Sequence, residues 1–290
     1  MASTSDKLGE QLEQIILNRI DSDKLVLPAM PAMAMKALEV LRNPDFNLRD
    51  VGEHIEKDPI LAAQVLRICN SAAMATREPC KNIGQAVARL GAQKLRAVLT
   101  EASARRVFDS KDPKIVNASR KVWEHSRAVG MLAQDVAVLS AIPDPDAAYL
   151  GGLLHDVGKP VVATMLLETE NQLAQRNTKG WIDSDTWIAV IQRTHRKIGL
   201  AIAAKWQLPE EVTRAIENCA DYDPGNQLSS GNAVRFANAV TKQQGIYMGA
   251  VDPQENDALI MVGQSLLNLD DAAVERLTKN LKTRTMERAA

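Results

Sequence analysis

The stretch from Leu150 to Val162 reads LGGLLHDVGKPVV and sets His155 beside Asp156 at the end of an apolar run. Imidazole nitrogen and carboxylate oxygen are both good ligands for iron, manganese, zinc or magnesium-class ions. Adjacent residues on a helix point about 100° apart and do not normally share a target. Both side chains can reach one point where the helix is ending, and Gly158 and Pro160 are the residues expected at such an ending. The chain has only four histidines: His54, His125, His155 and His195. The last three fall in separate helical segments, and packing those segments around one point would present His125, His155, Asp156 and His195 to a single metal. The alternative is structural: Asp156 caps a helix or pairs with Lys159 or a histidine, and the histidines serve the core.

The elements that must position these residues are helical. Hydrophobic residues make up 46% of the 290 positions and aromatics only 3%, while Ala, Leu, Val and Met are abundant. That balance favours helix over sheet. Leu8, Leu12, Ile15 and Ile16 mark an amphipathic helix over Asp6 to Ile20. Leu27-Pro28-Ala29-Met30-Pro31 is an extended lead-in. Helices follow over Ala32 to Leu41 and Leu48 to Glu56. Asp58-Pro59 then starts another, running to Cys69. After a loop at Ala75 to Lys81, Asn82 caps a helix with Gln85 as its reciprocal partner. That helix ends at Gly91, and the next runs from Ala92 to about Val107.

In the second half, Asp112-Pro113 starts a helix through Trp123, His125 and Val129. Asp144 caps the one that leads to His155, and Val161 to Leu173 follows. Asp183 or Ser184 caps one that reaches His195, and the small residues of Lys197 to Trp206 allow close helix approach. Helices open again at Glu210 and over Asn232 to Lys242. A turn around Gly249 to Asn256 precedes two final helices and a basic tail, Lys279 to Arg288. No stretch alternates like a strand, so the expected architecture is all-α, on the order of twelve to fifteen helices. Four parts are expected: an N-terminal helix at 1–20, a helical subdomain at 21–111, a histidine-bearing subdomain at 112–245 and C-terminal helices at 246–290.

Several functions are disfavoured. The formal net charge of −1 gives no overall basic character for nucleic acid. The pair of helices around Gly91, with Lys94, Arg96, Arg105 and Arg106 on the second, reads as an ordinary hairpin rather than a DNA reader. The opening MASTSDKLGEQ lacks a signal-peptide core, and the apolar stretch Val26 to Met35 is too short for a bilayer. Three cysteines, Cys69, Cys80 and Cys219, stand at no metal-site spacing and fit free thiols in a reducing cytoplasm.

The motifs resemble a known family. Trp-Glu-His-Ser at 123–126, Leu-Leu-His-Asp-Val-Gly-Lys at 153–159, and His195 to Gly199 followed by Ala204 to Glu211 resemble the HD superfamily of metal-dependent phosphohydrolases. Leu27 to Pro31, Asp58 to Ser71 and Ile83 to Gly91 narrow the resemblance to the HDOD family, the HD-related output domain of bacterial signalling proteins. The resemblance covers roughly residues 20 to 240. It implies an HD-like domain with an N-terminal helical subdomain, and one divalent ion held by His125, His155, Asp156 and a late aspartate. The late position falls on Asn238, a neutral and weaker ligand. The two-metal members carry a further histidine pair where this chain has Asn218 and Cys219.

Two functional readings follow from the resemblance. One is a cytoplasmic regulatory output module, degenerate as a catalyst, that binds a protein partner or small ligand in two-component or cyclic-dinucleotide signalling. Receiver, cyclase or phosphodiesterase segments would then lie on other chains. The other is a metal-dependent phosphohydrolase acting on a nucleotide or cyclic dinucleotide. There Lys159 would neutralise a phosphate oxygen, and His195 would orient substrate or move a proton.

Overall fold

The structure is a computed structural model that describes residues 4–22, 26–71, 78–175 and 184–286. Residues 75–77 of the predicted loop, Asp183 as an alternative cap, and the end of the basic tail lie outside the described residues. The described residues form helices with no strand among them, so the fold is all-α. No helix among them is long and apolar enough to cross a membrane. The chain divides into two compact units, one of residues 29–106 and one combining 1–28 with 107–290.

The smaller unit contains α2 (Ala32–Val40), α3 (Leu48–Glu56), α4 (Pro59–Cys69) and most of α5 (Ile83–Phe108). Local chemistry starts these helices. Asn47 accepts from the Arg49 amide at the head of α3, and Asp58 accepts from Ile60 and Leu61 at the head of α4. Asn82 accepts from Gln85 N at 2.9 Å, but the Gln85 side chain returns to Lys81 N at 2.8 Å, one residue before the expected partner. Gly91 interrupts α5 with φ 66° and ψ 174°, a conformation that a side chain would strain. Val51, Ile55, Leu61, Val65, Leu95 and Leu99 are buried in this unit. Each such side chain stabilises the fold by about 1.5–3 kcal/mol.

The larger unit contains α1 (Thr4–Asp21), α6 (Val116–Leu139), α7 (Pro145–Leu154), α8 (Gly158–Gln175), α9 (Ser184–Lys205), α10 (Glu210–Asn218), α11 (Ser230–Gln243), α12 (Pro253–Leu266) and α13 (Asp271–Met286). α6, α7 and α11 pack on one another, α8 packs on α9, and α1 lies against α9. α6 begins later than Asp112-Pro113 implied. Asp112 instead accepts from Lys114 N at 2.8 Å and holds a turn, and the helix opens at Val116. α9 runs unbroken past His195 through the small-residue stretch. Close approach of α6 and α7 depends on two glycines: a Cβ on Gly152 would lie 2.7 Å from the Gly130 Cα. That contact brings the helix bearing His125 beside the helix that ends at His155.

Candidate metal and ligand site

α7 ends at Leu154, His155 is its C-cap, and three residues of turn lead into α8 at Gly158. The turn aims His155 and Asp156 at the same point. Gly158 and Pro160 therefore open the next helix rather than close the previous one. Gly158 is required by packing: a Cβ there would lie 1.9 Å from the His195 carbonyl oxygen. The absence of a side chain lets α8 start against α9 at the level of His195.

Asp156 is the hub. Its Oδ2 lies 2.7 Å from Lys159 Nζ, 3.3 Å from His155 Nε2 and 3.9 Å from His125 Nε2. Its Oδ1 lies 3.5 Å from His195 Nε2. All three histidines and the aspartate are buried. One ligand atom each from His125, His155 and Asp156 falls within 4.8 Å of the others. His195 approaches from the far side of the carboxylate, so the structure brings together all four residues that the sequence suggested.

Each histidine is oriented by a backbone carbonyl. His125 Nδ1 is 2.7 Å from Ile246 O, and His155 Nδ1 is 2.7 Å from Gly152 O. His195 Nδ1 is 2.9 Å from both Ile191 O and Gln192 O. A carbonyl only accepts, so each Nδ1 carries a proton and each Nε2 is turned to the centre. Burial pushes His125 down to about 3, with His155 nearby acting in the same direction. Burial likewise pushes His195 down to about 4, although Asp156 opposes it. Both rings are therefore neutral near pH 7, the state a metal ligand needs. Burial works against ionisation of Asp156, but His155, Lys159 and His195 outweigh it and hold the carboxyl well below the usual carboxylate range.

The residues present fit one divalent ion. The Nε2 atoms of His125 and His155 and Oδ1 of Asn238 are buried without a hydrogen-bond partner. Unpaired buried polar atoms are costly, and a cation is the group that would satisfy two imidazole nitrogens and a carboxylate oxygen together. The set carries only one anion, and Lys159 already neutralises it. At positions 218 and 219, Asn218 is exposed and the buried Cys219 thiol donates to Ile216 O at 3.2 Å. Burial raises that thiol to about 11.

Sequence reasoning missed the far wall of the site. Tyr247 stacks edge-on against His125 with centroids 5.1 Å apart. Lys242 Nζ stands 4.8 Å and Lys159 Nζ 5.6 Å from the Tyr247 ring centre. The segment carrying Tyr247 is bounded by Gly245 and Gly249, both at positive φ. That pair of glycines was the signal available in the sequence.

An all-α domain with a buried His-Asp pair joined by histidines from two other helices is the HD type of fold and site. Within that type the chain belongs to the HDOD domain family, whose profile matches residues 27–222. The match ends ahead of Asn238 and Tyr247.

An uncharacterized protein of Treponema pallidum is 29% identical over 214 residues, 71% of this chain and 39% of that protein. The matched region is thus about two fifths of that relative. Solved structures share the fold. A Shewanella amazonensis protein named for the metal-dependent phosphohydrolases superposes with a TM-score of 0.75 at 24% identity, over 96% of this chain and 99% of its own. An HDOD domain protein of unknown function from Geobacter sulfurreducens gives 0.66 at 21% identity, over 96% and 94%. A Marinobacter aquaeolei protein named for signal transduction gives 0.59 at 22% identity, over 97% of this chain and 64% of its own.

Proposed function

We propose that this chain is a bacterial signal-transduction output module of HDOD type that acts in the cytoplasm by binding a protein partner or small ligand. In this reading the His-Asp site is degenerate as a catalyst. The observation that carries it is the charge of the ligand set: one carboxylate, Asp156, already ion-paired with Lys159 at 2.7 Å, with an amide at Asn238. Hydrolysis of a phosphate ester needs a firmly held metal with an open coordination position. A single neutralised anion holds a dication weakly. The partners expected are proteins of two-component or cyclic-dinucleotide systems, in keeping with the family, and nucleic acid is not among them at a net charge of −1.

The unpartnered Nε2 atoms of His125 and His155 favour a second reading, a metal-dependent phosphohydrolase acting on a nucleotide or cyclic dinucleotide. His125, His155 and Asp156 would hold iron, manganese, zinc or magnesium, and the ion when bound would supply Lewis acidity and an activated water. Lys159 would then leave Asp156 for a phosphate oxygen. His195, neutral and with Nε2 facing the carboxylate, would accept or return a proton.

Metal content and hydrolysis separate the readings. The chain is purified without chelator or metal-binding tag beside His155→Ala and Asn238→Asp, and each is assayed on nucleotides and cyclic dinucleotides. The regulatory reading expects no hydrolysis by wild type, with activity or metal gained in Asn238→Asp. Wild-type hydrolysis that His155→Ala abolishes would establish the enzyme instead.

A further inference from the structure

Cys69 closes α4, and Cys80 stands three residues ahead of α5, so the two thiols come from either side of a connection within the smaller unit. Their sulfur atoms lie 3.3 Å apart and both are free thiols. Cys69 is 0% exposed and Cys80 5%. A disulfide has its sulfurs about 2.05 Å apart, so closure requires a movement of roughly 1.3 Å. The backbone is already clamped for it. Asn70, next to Cys69, donates from Nδ2 to Cys80 O at 2.9 Å and accepts from Cys80 N at 2.7 Å through Oδ1. Two bonds from one side chain thus hold the backbone of Cys80 against the end of α4. Ordinary core packing needs no second thiol at this distance.

We propose that Cys69 and Cys80 form a redox-active dithiol, which a peroxide-class oxidant converts to a reversible intramolecular disulfide. Cys80, the more exposed of the two, attacks one peroxide oxygen as the thiolate. The O–O bond breaks, water leaves after proton transfer, and Cys80 becomes a sulfenic acid. The Cys69 sulfur then attacks the Cys80 sulfur, its proton departs with the hydroxyl as a second water, and the S–S bond forms. Two thiols and one hydrogen peroxide give one disulfide and two waters. A dithiol reductant reverses the reaction by thiol–disulfide exchange.

Burial raises the Cys69 thiol to about 11, its hydrogen bond to Cys80 adds to the rise, and Arg89 opposes it. Resolution by Cys69 is accordingly expected to quicken as pH rises. The product ties the end of α4 to the entry of α5 and restricts the unfolded chain between them. Cys219 lies in the other unit against a backbone carbonyl and serves as an internal control.

The test is a thiol count on the whole reduced chain before and after hydrogen peroxide, read under denaturing conditions, with peptide mapping by mass spectrometry. The count is expected to fall from three to one, with a peptide crosslinked between Cys69 and Cys80 and recovery of all three on reduction. The oxidised chain is expected to unfold at a higher temperature. Cys80→Ala and Cys69→Ala should each abolish the crosslink, while mapping of the wild type decides the matter without any variant. A count that stays at three, consumption of Cys219 instead, a disulfide between chains, or thiol loss without a crosslink would overturn the proposal.

Discussion

Lys159 Nζ rests 2.7 Å from Asp156 Oδ2, the same carboxylate oxygen that faces His125 and His155. The ammonium and any metal ion therefore compete for one anion. Asp156 is buried and the Lys159 side chain is only 13% exposed, so the pair is shielded from solvent. Removing one partner of a buried pair costs about 3–5 kcal/mol, because the other charge is left uncompensated. Lys159→Met is expected to lower unfolding free energy on that scale in metal-free buffer and to regain much of it when manganese or zinc is added. Denaturant titration with and without metal reads both effects, and equal losses in the two buffers would show that no competition exists.

The neutral histidines set an acid limit. An unfolded histidine titrates near 6.5. Folded His125 lies at about 3 and folded His195 at about 4. Between those values and 6.5 the unfolded chain binds the extra protons, so stability is full above pH 6.5 and falls as the pH drops toward 4. Each group contributes a slope of up to about 1.4 kcal/mol per pH unit. Asp156 has a depressed value, so its contribution is present above the unfolded carboxyl range and is lost only at stronger acidity. Urea unfolding from pH 7.5 to 4.5 measures the curve, and His195→Gln should lessen its slope by roughly one group.

Gly158→Ala tests packing against propensity. An exposed helical site would gain about 1 kcal/mol from the change. Here the added carbon would meet the His195 carbonyl oxygen at 1.9 Å, and backbone cannot rotate aside. A net loss of about 3 kcal/mol is expected, at the upper end for overpacking. Metal uptake should fall with it, since α8 would move away from α9. A neutral or stabilising result in thermal denaturation would contradict the close approach.

Tyr247 covers His125 with its ring and receives two lysine ammonium groups on that ring. Tyr247→Ala is expected to cost about 2 kcal/mol, summing an aromatic pair and cation–π contacts of about 0.5–1.5 kcal/mol each. Tyr247→Phe keeps the ring and should stay within about 0.5 kcal/mol of wild type. In metal-loaded protein the alanine variant should also release its ion to a chelator faster than the phenylalanine variant does. Equal release rates would remove Tyr247 from the wall of the site.

Much of the fold follows from short-range chemistry that a sequence displays. Asp58, Asp144 and Asp252 start helices because a carboxylate two or three residues ahead satisfies amides that nothing else reaches, and each has a proline at the first turn. Gly91 breaks α5 where only glycine is unstrained. The pairing of His155 with Asp156 is equally local, set by one turn of backbone. Other features depend on groups distant in the chain. The carbonyl that fixes the His125 tautomer belongs to Ile246, 121 residues away. The need for glycine at 158 comes from the His195 backbone, whereas the pairing of Lys159 with Asp156, three residues apart, is local. Sequence spacing determines which residues leave a helix end together. Only the packing of α6 and α9 around that end decided that His125 and His195 face the same carboxylate, because a contact answers to distance in space and not to position along the chain.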